Sequence, residues 1–266
     1  MENFATEVND IMNGVKHLSY SALSQFLKSP RHFKAYKEDK EVTKAMEEGK
    51  RFHMACLEPE KFNETYWVLD DTDKCNELIL GGAKSPRASK VYKEWRAEQD
   101  SLHIGKERLD KDEFDKYVRM NDALRSNRIA GKLMAGLTET EKFFKFQHDG
   151  FLFKGAIDGI GENENGKYLI DLKKVADASY KKIRWNIHDM NYDLQGGLYS
   201  ESENCKEYYL IFVDSSCNIT VVRLLPETLE KGFEKVEFAI SKFEECAELD
   251  AWSDSYEFYN GGYINL

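Results

Sequence analysis

Asp149-Gly150 stands between two segments of alternating character, ETEKFFKFQH (139–148) and FLFKGAIDGI (151–160). An Asp-Gly pair so flanked predicts a two-residue β-hairpin, because both central residues of that turn need positive φ. The turn fixes the register. His148 pairs with Phe151, and counting outward sets Glu141 opposite Asp158. Opposed residues share a face, so Phe144, Phe146, Phe151 and Phe153 read as core on the other side. A loop, GENENG (161–166), leads into a third strand, KYLIDLKK (167–174). There Asp171 and Lys173 point to one side of the sheet, and Ile170 and Leu172 to the other. A turn centred on Glu164-Asn165 sets Asp158 against Asp171; one centred on Asn165-Gly166 sets it against Lys173. Either register gathers Glu141, Asp158, Asp171 and Lys173 on one face of three strands.

Acids side by side repel, and like charges directly opposed destabilise a sheet. A divalent cation removes that penalty, and hard oxygen ligands suit Mg²⁺ or Mn²⁺. The bland alternative is a solvated sheet face. Against it, the acids sit among Ala156, Ile157, Ile160, Ile170 and Leu172, where idle charge is costly. The lysine two residues after the last acid supplies a group that can hold or help deprotonate water. The same register sets Lys145 opposite Lys154, a pair that could splay into solvent or straddle a phosphate.

The remainder of the chain is mostly helical. Four prolines punctuate it: Ser29-Pro30 and Ser85-Pro86 read as N-cap and first helical residue, Pro59 closes a helix, and Pro226 opens the last one. Helices are expected around Leu23–Leu27, after Pro30, over Thr43–Leu57, Pro86–Leu102 and Lys111–Met134. After the third strand come helices at Ser179–His188 and Tyr192–Glu203, strands EYYLIFVD and NITVVRLL, and a helix over Glu227–Leu249. The pattern predicts one α+β domain over residues 1–266. It has a helical part (1–137), a mainly antiparallel sheet with flanking helices (138–250), and an aromatic, unpatterned tail (251–266).

Composition excludes some functions. Asp and Glu outnumber Lys and Arg 48 to 38, a net charge of −10, which rules out a protein coated in positive charge but leaves room for a local basic groove. Five scattered cysteines (Cys56, Cys75, Cys205, Cys217 and Cys246) form no Cys-x-x-Cys pair, as expected of reduced thiols. The acidic N-terminus lacks a signal-peptide pattern, and no apolar run is long enough to span a membrane. A cytoplasmic location is expected, in a bacterial or phage-infected cell.

GAIDGI with Asp158 followed by IDLKK with Asp171 and Lys173 resembles the PD-(D/E)XK nuclease superfamily, whose motif is an acid on one strand and Asp/Glu-x-Lys on the next. LSYSALSQFLKSPRHFKAYK is similar to the "S-x-S-x-L…P-x-x-F" opening of RecB-like nucleases. EEGKRFHMACLEP stacks Gly49 and His53 on one helix face, as in the RecB and RecE branches, where such a histidine is a metal ligand and the glycine leaves room beside it. Glu141 matches the acid on the preceding strand, and Gln195-x-x-x-Tyr199 resembles the motif that follows the catalytic strands. Singly, His53 reads as a packing histidine, and Gln195 and Tyr199 as surface and core residues; the five features in family order, over about residues 19–200, favour the resemblance. The helix motif and length most resemble the nuclease domain of RecE, or exonuclease VIII. Some relatives carry cysteines beside "P-x-x-F" for an iron–sulfur centre; here Ser29 stands before Pro30, and no cluster is expected.

The resemblance implies a Mg²⁺-dependent exodeoxyribonuclease, with Mn²⁺ able to substitute, that degrades linear duplex DNA from its ends, 5′→3′, in phage-type recombination. It implies one ion or two, held by His53, Asp158, Asp171 and the Leu172 carbonyl, with Glu141 serving a second. Lys173 would position water and stabilise charge, and Gln195 and Tyr199 would hold Lys173 or contact the backbone of DNA. Lys174, Lys181, Lys182 and Arg184 would track phosphates. A ring-shaped homo-oligomer and a single-strand annealing partner follow from the same likeness. The rival readings are an endonuclease of the same fold, including the CRISPR-adaptation or defence kind, and a catalytically silent DNA-binding protein.

Overall fold

The computed structural model describes residues 4–38 and 43–254. The last twelve residues of the aromatic tail, 255–266, lie outside them. The chain opens with α1 (Phe4–Met12), a two-residue strand β1 (His17–Leu18), α2 (Tyr20–Lys28) and α3 (Pro30–Glu38). Ser19 caps α2 by accepting from Ala22 N at 3.3 Å, and Ser29 accepts from His32 N at 3.1 Å, so Pro30 starts a helix as expected.

α4 (Lys44–Leu57) is capped by Thr43. Pro59 differs from expectation: it opens a further helix, α5 (Pro59–Thr65), at its first turn, where a missing N–H costs nothing. Next come β2 (Tyr66–Leu69), α6 (Thr72–Leu80), α7 (Lys90–Leu102) and β3 (Glu107–Asp110). Ser89, not Ser85, caps α7; Pro86 begins only a single 3₁₀ turn. β2 and β3 form a separate parallel pair that sequence reading missed. The helix expected over Lys111–Met134 is two, α8 (Lys111–Ser126) and α9 (Ala130–Ala135). Asn127 is extended there, and its side chain caps the N–H groups of Ile129 and Ala130, at 3.0 Å each.

The predicted strands are β4 (Leu137–His148), β5 (Phe151–Asn163) and β6 (Gly166–Val175). Asp149 and Gly150 have φ of +45° and +81°, the left-handed pair the hairpin requires, and His148 pairs with Phe151. Asn163 pairs with Gly166, so the second turn is centred on Glu164-Asn165. α10 (Tyr180–Asp189) and α11 (Tyr192–Glu203) follow, then β7 (Tyr208–Asp214), β8 (Ile219–Leu224) and α12 (Pro226–Leu249). The central sheet is mixed but mainly antiparallel: β4–β5, β5–β6 and β7–β8 are antiparallel, β1–β5 and β6–β7 parallel.

Helices cover both faces of the sheet. On one face α2, α3, α11 and α12 pack Leu23, Phe33, Leu198 and Phe243 against Phe153, Ile157 and Phe212. On the other, α4 and α8 pack Phe52, Tyr117 and Met120 against Ile170, Leu172 and Ile211. β6 and β7 are therefore apolar on both sides, as parallel strands sandwiched by helices are. Among the described tail residues, Trp252 seats its ring 4.8 Å from Phe4 and 5.6 Å from Phe243. No helix among the described residues is long and apolar enough to cross a membrane.

Candidate active site

β5 is paired along one edge by β4. Its other edge is shared: β1 pairs Leu152 and Phe153, and β6 pairs Gly159 to Asn163. Between them, residues 154–158 have no strand on that edge, and the sheet splits. Asp158 lies where the split begins. Its Oδ2 accepts from Leu172 N at 2.7 Å, replacing the backbone ladder with a side chain. A strand residue directs its N–H and C=O toward the same neighbour, so the Leu172 carbonyl also faces the split, as a ligand role needs.

Alternation breaks at the same point. Ile157 and Ile160 both belong to the α11–α12 core, although residues three apart on a regular strand face opposite ways. Across from them Glu141 has φ of +51°, a strain of about 1–3 kcal/mol for a residue with a Cβ. The expectation that Glu141, Asp158, Asp171 and Lys173 share one sheet face is therefore corrected. Glu141 and Asp158 meet His53 of α4, whereas Asp171 and Lys173 meet Gln195 and Tyr192 of α11.

α4 brings His53, whose Nδ1 lies 3.6 Å from Asp158 Oδ2. One ligand atom each from His53, Glu141 and Asp158 lie within 4.8 Å of one another. A Cβ at Gly49, one turn earlier, would meet nothing within 4 Å, so the helix face there is open. Burial, then the neighbouring Asp158 carboxylate, raises the pKa of Glu141. Burial also raises that of Asp158, with His53 opposing. A nitrogen and two oxygens, at a place where desolvated acids crowd, fit a hard divalent cation. Asp171 is not part of this trio. Gln195 Nε2 donates to its Oδ1 at 2.7 Å, and Lys173 Nζ lies 2.7 Å from its Oδ2.

Lys173 is walled in. Burial alone would lower its pKa, but the Asp171 and Asp158 carboxylates outweigh that and raise it. Its ammonium sits 4.9 Å from the Tyr192 ring centroid, a cation–π contact. Gln195 also lies beside the Tyr199 hydroxyl, and the Tyr199 ring packs edge-on to Phe144 at 5.0 Å. Two residues escaped sequence reading. Tyr192 lies three positions before Gln195 on α11, a helical spacing that could have revealed it. Tyr20 follows the Ser19 cap, donates to the Met190 carbonyl, and feels the charges of Lys173 and Asp171.

Of the four expected phosphate-tracking residues, Lys174 is engaged by Glu48 at 2.7 Å. Lys181, Lys182 and Arg184 stand exposed on α10, beside exposed Tyr180 and Trp185.

A family model described as a "PDDEXK-like domain of unknown function" matches residues 19–259. No curated protein matches the sequence. Among solved structures, the crystal structure of a "Putative exonuclease" from Eubacterium rectale aligns at TM-score 0.58 and 13% identity, covering 97% of this chain and 91% of that one. The crystal structure of SSO0001 aligns at TM-score 0.31 and 16% identity over 79% of this chain and 89% of that one, too loosely to bear on the fold.

Proposed function

Because this chain belongs to the PDDEXK-like family, we propose that it is a metal-dependent exodeoxyribonuclease that hydrolyses linear duplex DNA from its ends. The observation that carries this reading is the convergence of His53, Glu141 and Asp158 within 4.8 Å, beside a lysine held by Asp171. His53, Glu141 and Asp158 would hold Mg²⁺ or Mn²⁺, with the Leu172 carbonyl in reach of the same gap. Such a cation, when bound, activates water and neutralises charge on the scissile phosphate.

The chain's own groups do the rest. Lys173 keeps its proton, because its raised pKa leaves no appreciable free amine at neutral pH. It therefore serves as an electrostatic stabiliser of the pentacoordinate phosphate, not as a base. Asp171 and Gln195 orient it, and the Tyr192 ring closes its other side. Lys181, Lys182 and Arg184 would bind backbone phosphates without reading base edges, giving little sequence preference. A ring-shaped homo-oligomer and a single-strand annealing partner extend the same proposal.

The test is digestion of linear and covalently closed circular duplex with Mg²⁺ or Mn²⁺. Linear DNA should disappear and circles persist, and Glu141→Gln and Lys173→Gln should each cut the rate by about 10²–10³. Cleavage of circles would favour the endonuclease alternative. Full activity in both variants would overturn the site, and no hydrolysis of any DNA with either metal would leave a silent DNA-binding protein.

A further inference from the structure

The helical layer of α4 and α8 covers β6 and β7 but stops short of the β4–β5 hairpin. That half of the sheet face is open. Phe143 is 80% exposed there, opposite Ala156, and the next outward pair on the same face is Lys145 against Lys154. Both lysines are exposed. Opposed like charges destabilise an antiparallel pair, yet neither lysine has an ion-pair partner among the described residues. Nearby in the same sheet, Lys142 of β4 and Lys167 of β6 both meet Glu203, at 3.1 and 2.6 Å. A third basic group joins them from the other edge. β1 sets His17 beside Leu152, on the Lys154 face of β5. Burial, then Lys145 and Lys154, holds the His17 imidazole below its ordinary pKa, which places all three within one field.

The two lysines lie four cross-strand pairs out from Glu141 and Asp158. Four residues at about 3.3 Å each put them about 13 Å from the acids along the strands. A B-form strand advances about 3.4 Å per nucleotide along the helix axis while also winding around it, so the separation places this group within a few nucleotides of the acids. Between the two lies the exposed Phe143 ring, a flat apolar surface of the kind on which sugars and bases rest.

We propose that this hairpin floor is a phosphate-holding subsite. Lys145, Lys154 and His17 grip the backbone of a DNA strand within a few nucleotides of the bond being cut, with Phe143 as the platform between. The subsite rests on the nuclease reading, and it explains why a chain of net charge −10 keeps two unpaired lysines face to face. Its role is to hold register on the strand, separately from the chemistry at the split.

The deciding measurement is the salt dependence of duplex DNA affinity for the full chain in EDTA, by fluorescence anisotropy. Each phosphate contact contributes about 0.9 to the slope of log affinity against log salt. The double variant Lys145→Gln/Lys154→Gln should lose up to about 1.8 of that slope, so that its affinity falls about twelvefold less between 50 and 200 mM salt. Lys145→Arg/Lys154→Arg should keep the wild-type slope. An unchanged slope in the glutamine pair, with wild type still hydrolysing DNA, would overturn the subsite and leave the nuclease intact. Equal losses in the glutamine and arginine pairs would also overturn it, since charge would not be the cause. A wild type that neither binds nor cleaves DNA removes both proposals together.

Discussion

α10 and α11 are consecutive helices built on opposite principles. α11 is buried from Tyr192 through Ser200, with α12 pressed against it. α10 buries only Ile183 and turns lysines, an arginine, Tyr180 and Trp185 outward. The boundary is sharp: Asn191 takes a left-handed turn at φ +53°, and Lys235 pins Asp193, two residues on, at 2.7 Å. In the proposed function one helix positions Gln195 and the other meets a solvated polyanion. Positioning calls for packing on every side; contact with solvent-borne phosphate calls for none.

The most severe challenge to this contrast is steric. A Cβ at Gly232 of α12 would lie 1.9 Å from the Asp193 carbonyl oxygen of α11. Gly232→Ala should therefore destabilise the fold by about 3 kcal/mol or more, read as a fall in Tm of about 6–12 °C. A neutral result would mean that α11 is not clamped. Next in size, Gln195→Ala should lower the rate of DNA hydrolysis by about 10–100-fold while Tm moves far less than in Gly232→Ala; equal damage to both would make Gln195 a packing residue only.

Metal binding sharpens the contrast from the site's side. Glu141 and Asp158 have raised pKa values in the folded state, so the contribution of these two groups to the metal-free fold is most favourable below the ordinary carboxylate range and is lost as pH rises through the raised values. Mn²⁺ reverses the penalty. At about 100 times its Kd it should add about 2.7 kcal/mol, with a larger Tm increment at pH 7.5 than at pH 5; an increment independent of pH would speak against a carboxylate site. The smallest effect belongs to α10. Lys181→Gln, Lys182→Gln and Arg184→Gln together should shift stability by no more than about 0.5 kcal/mol each while reducing the salt slope of DNA binding; cooperative unfolding on these changes would erase the distinction between the helices.

Local chemistry made much of this legible in the sequence. The turn at Asp149-Gly150 needs no tertiary help to set its register, and that register led to Asp158 and Asp171. The helical spacings of Gly49 with His53 and of Gln195 with Tyr199 were equally local. Long-range arrangements were not legible. β1 has two residues, and its pairing with β5 spans more than a hundred positions. β2 and β3 are four residues each and meet only after α6 and α7 have intervened. Strict alternation also hid the kink at Glu141, because a left-handed glutamate carries no signature in its neighbours. Beside that kink the acids expected on one flat face are divided, Glu141 and Asp158 lying with His53 and Asp171 with Lys173 and Gln195.

The bond from Leu172 to the Asp158 carboxylate has a practical corollary. One oxygen is both a stitch in the sheet and a prospective ligand, so truncating Asp158 to alanine to create a dead enzyme for trapping substrate would also unpick the seam between two strands, and loss of turnover in that variant could not be ascribed to chemistry. Glu141, which ties no strand to another, is the cleaner place to silence the molecule.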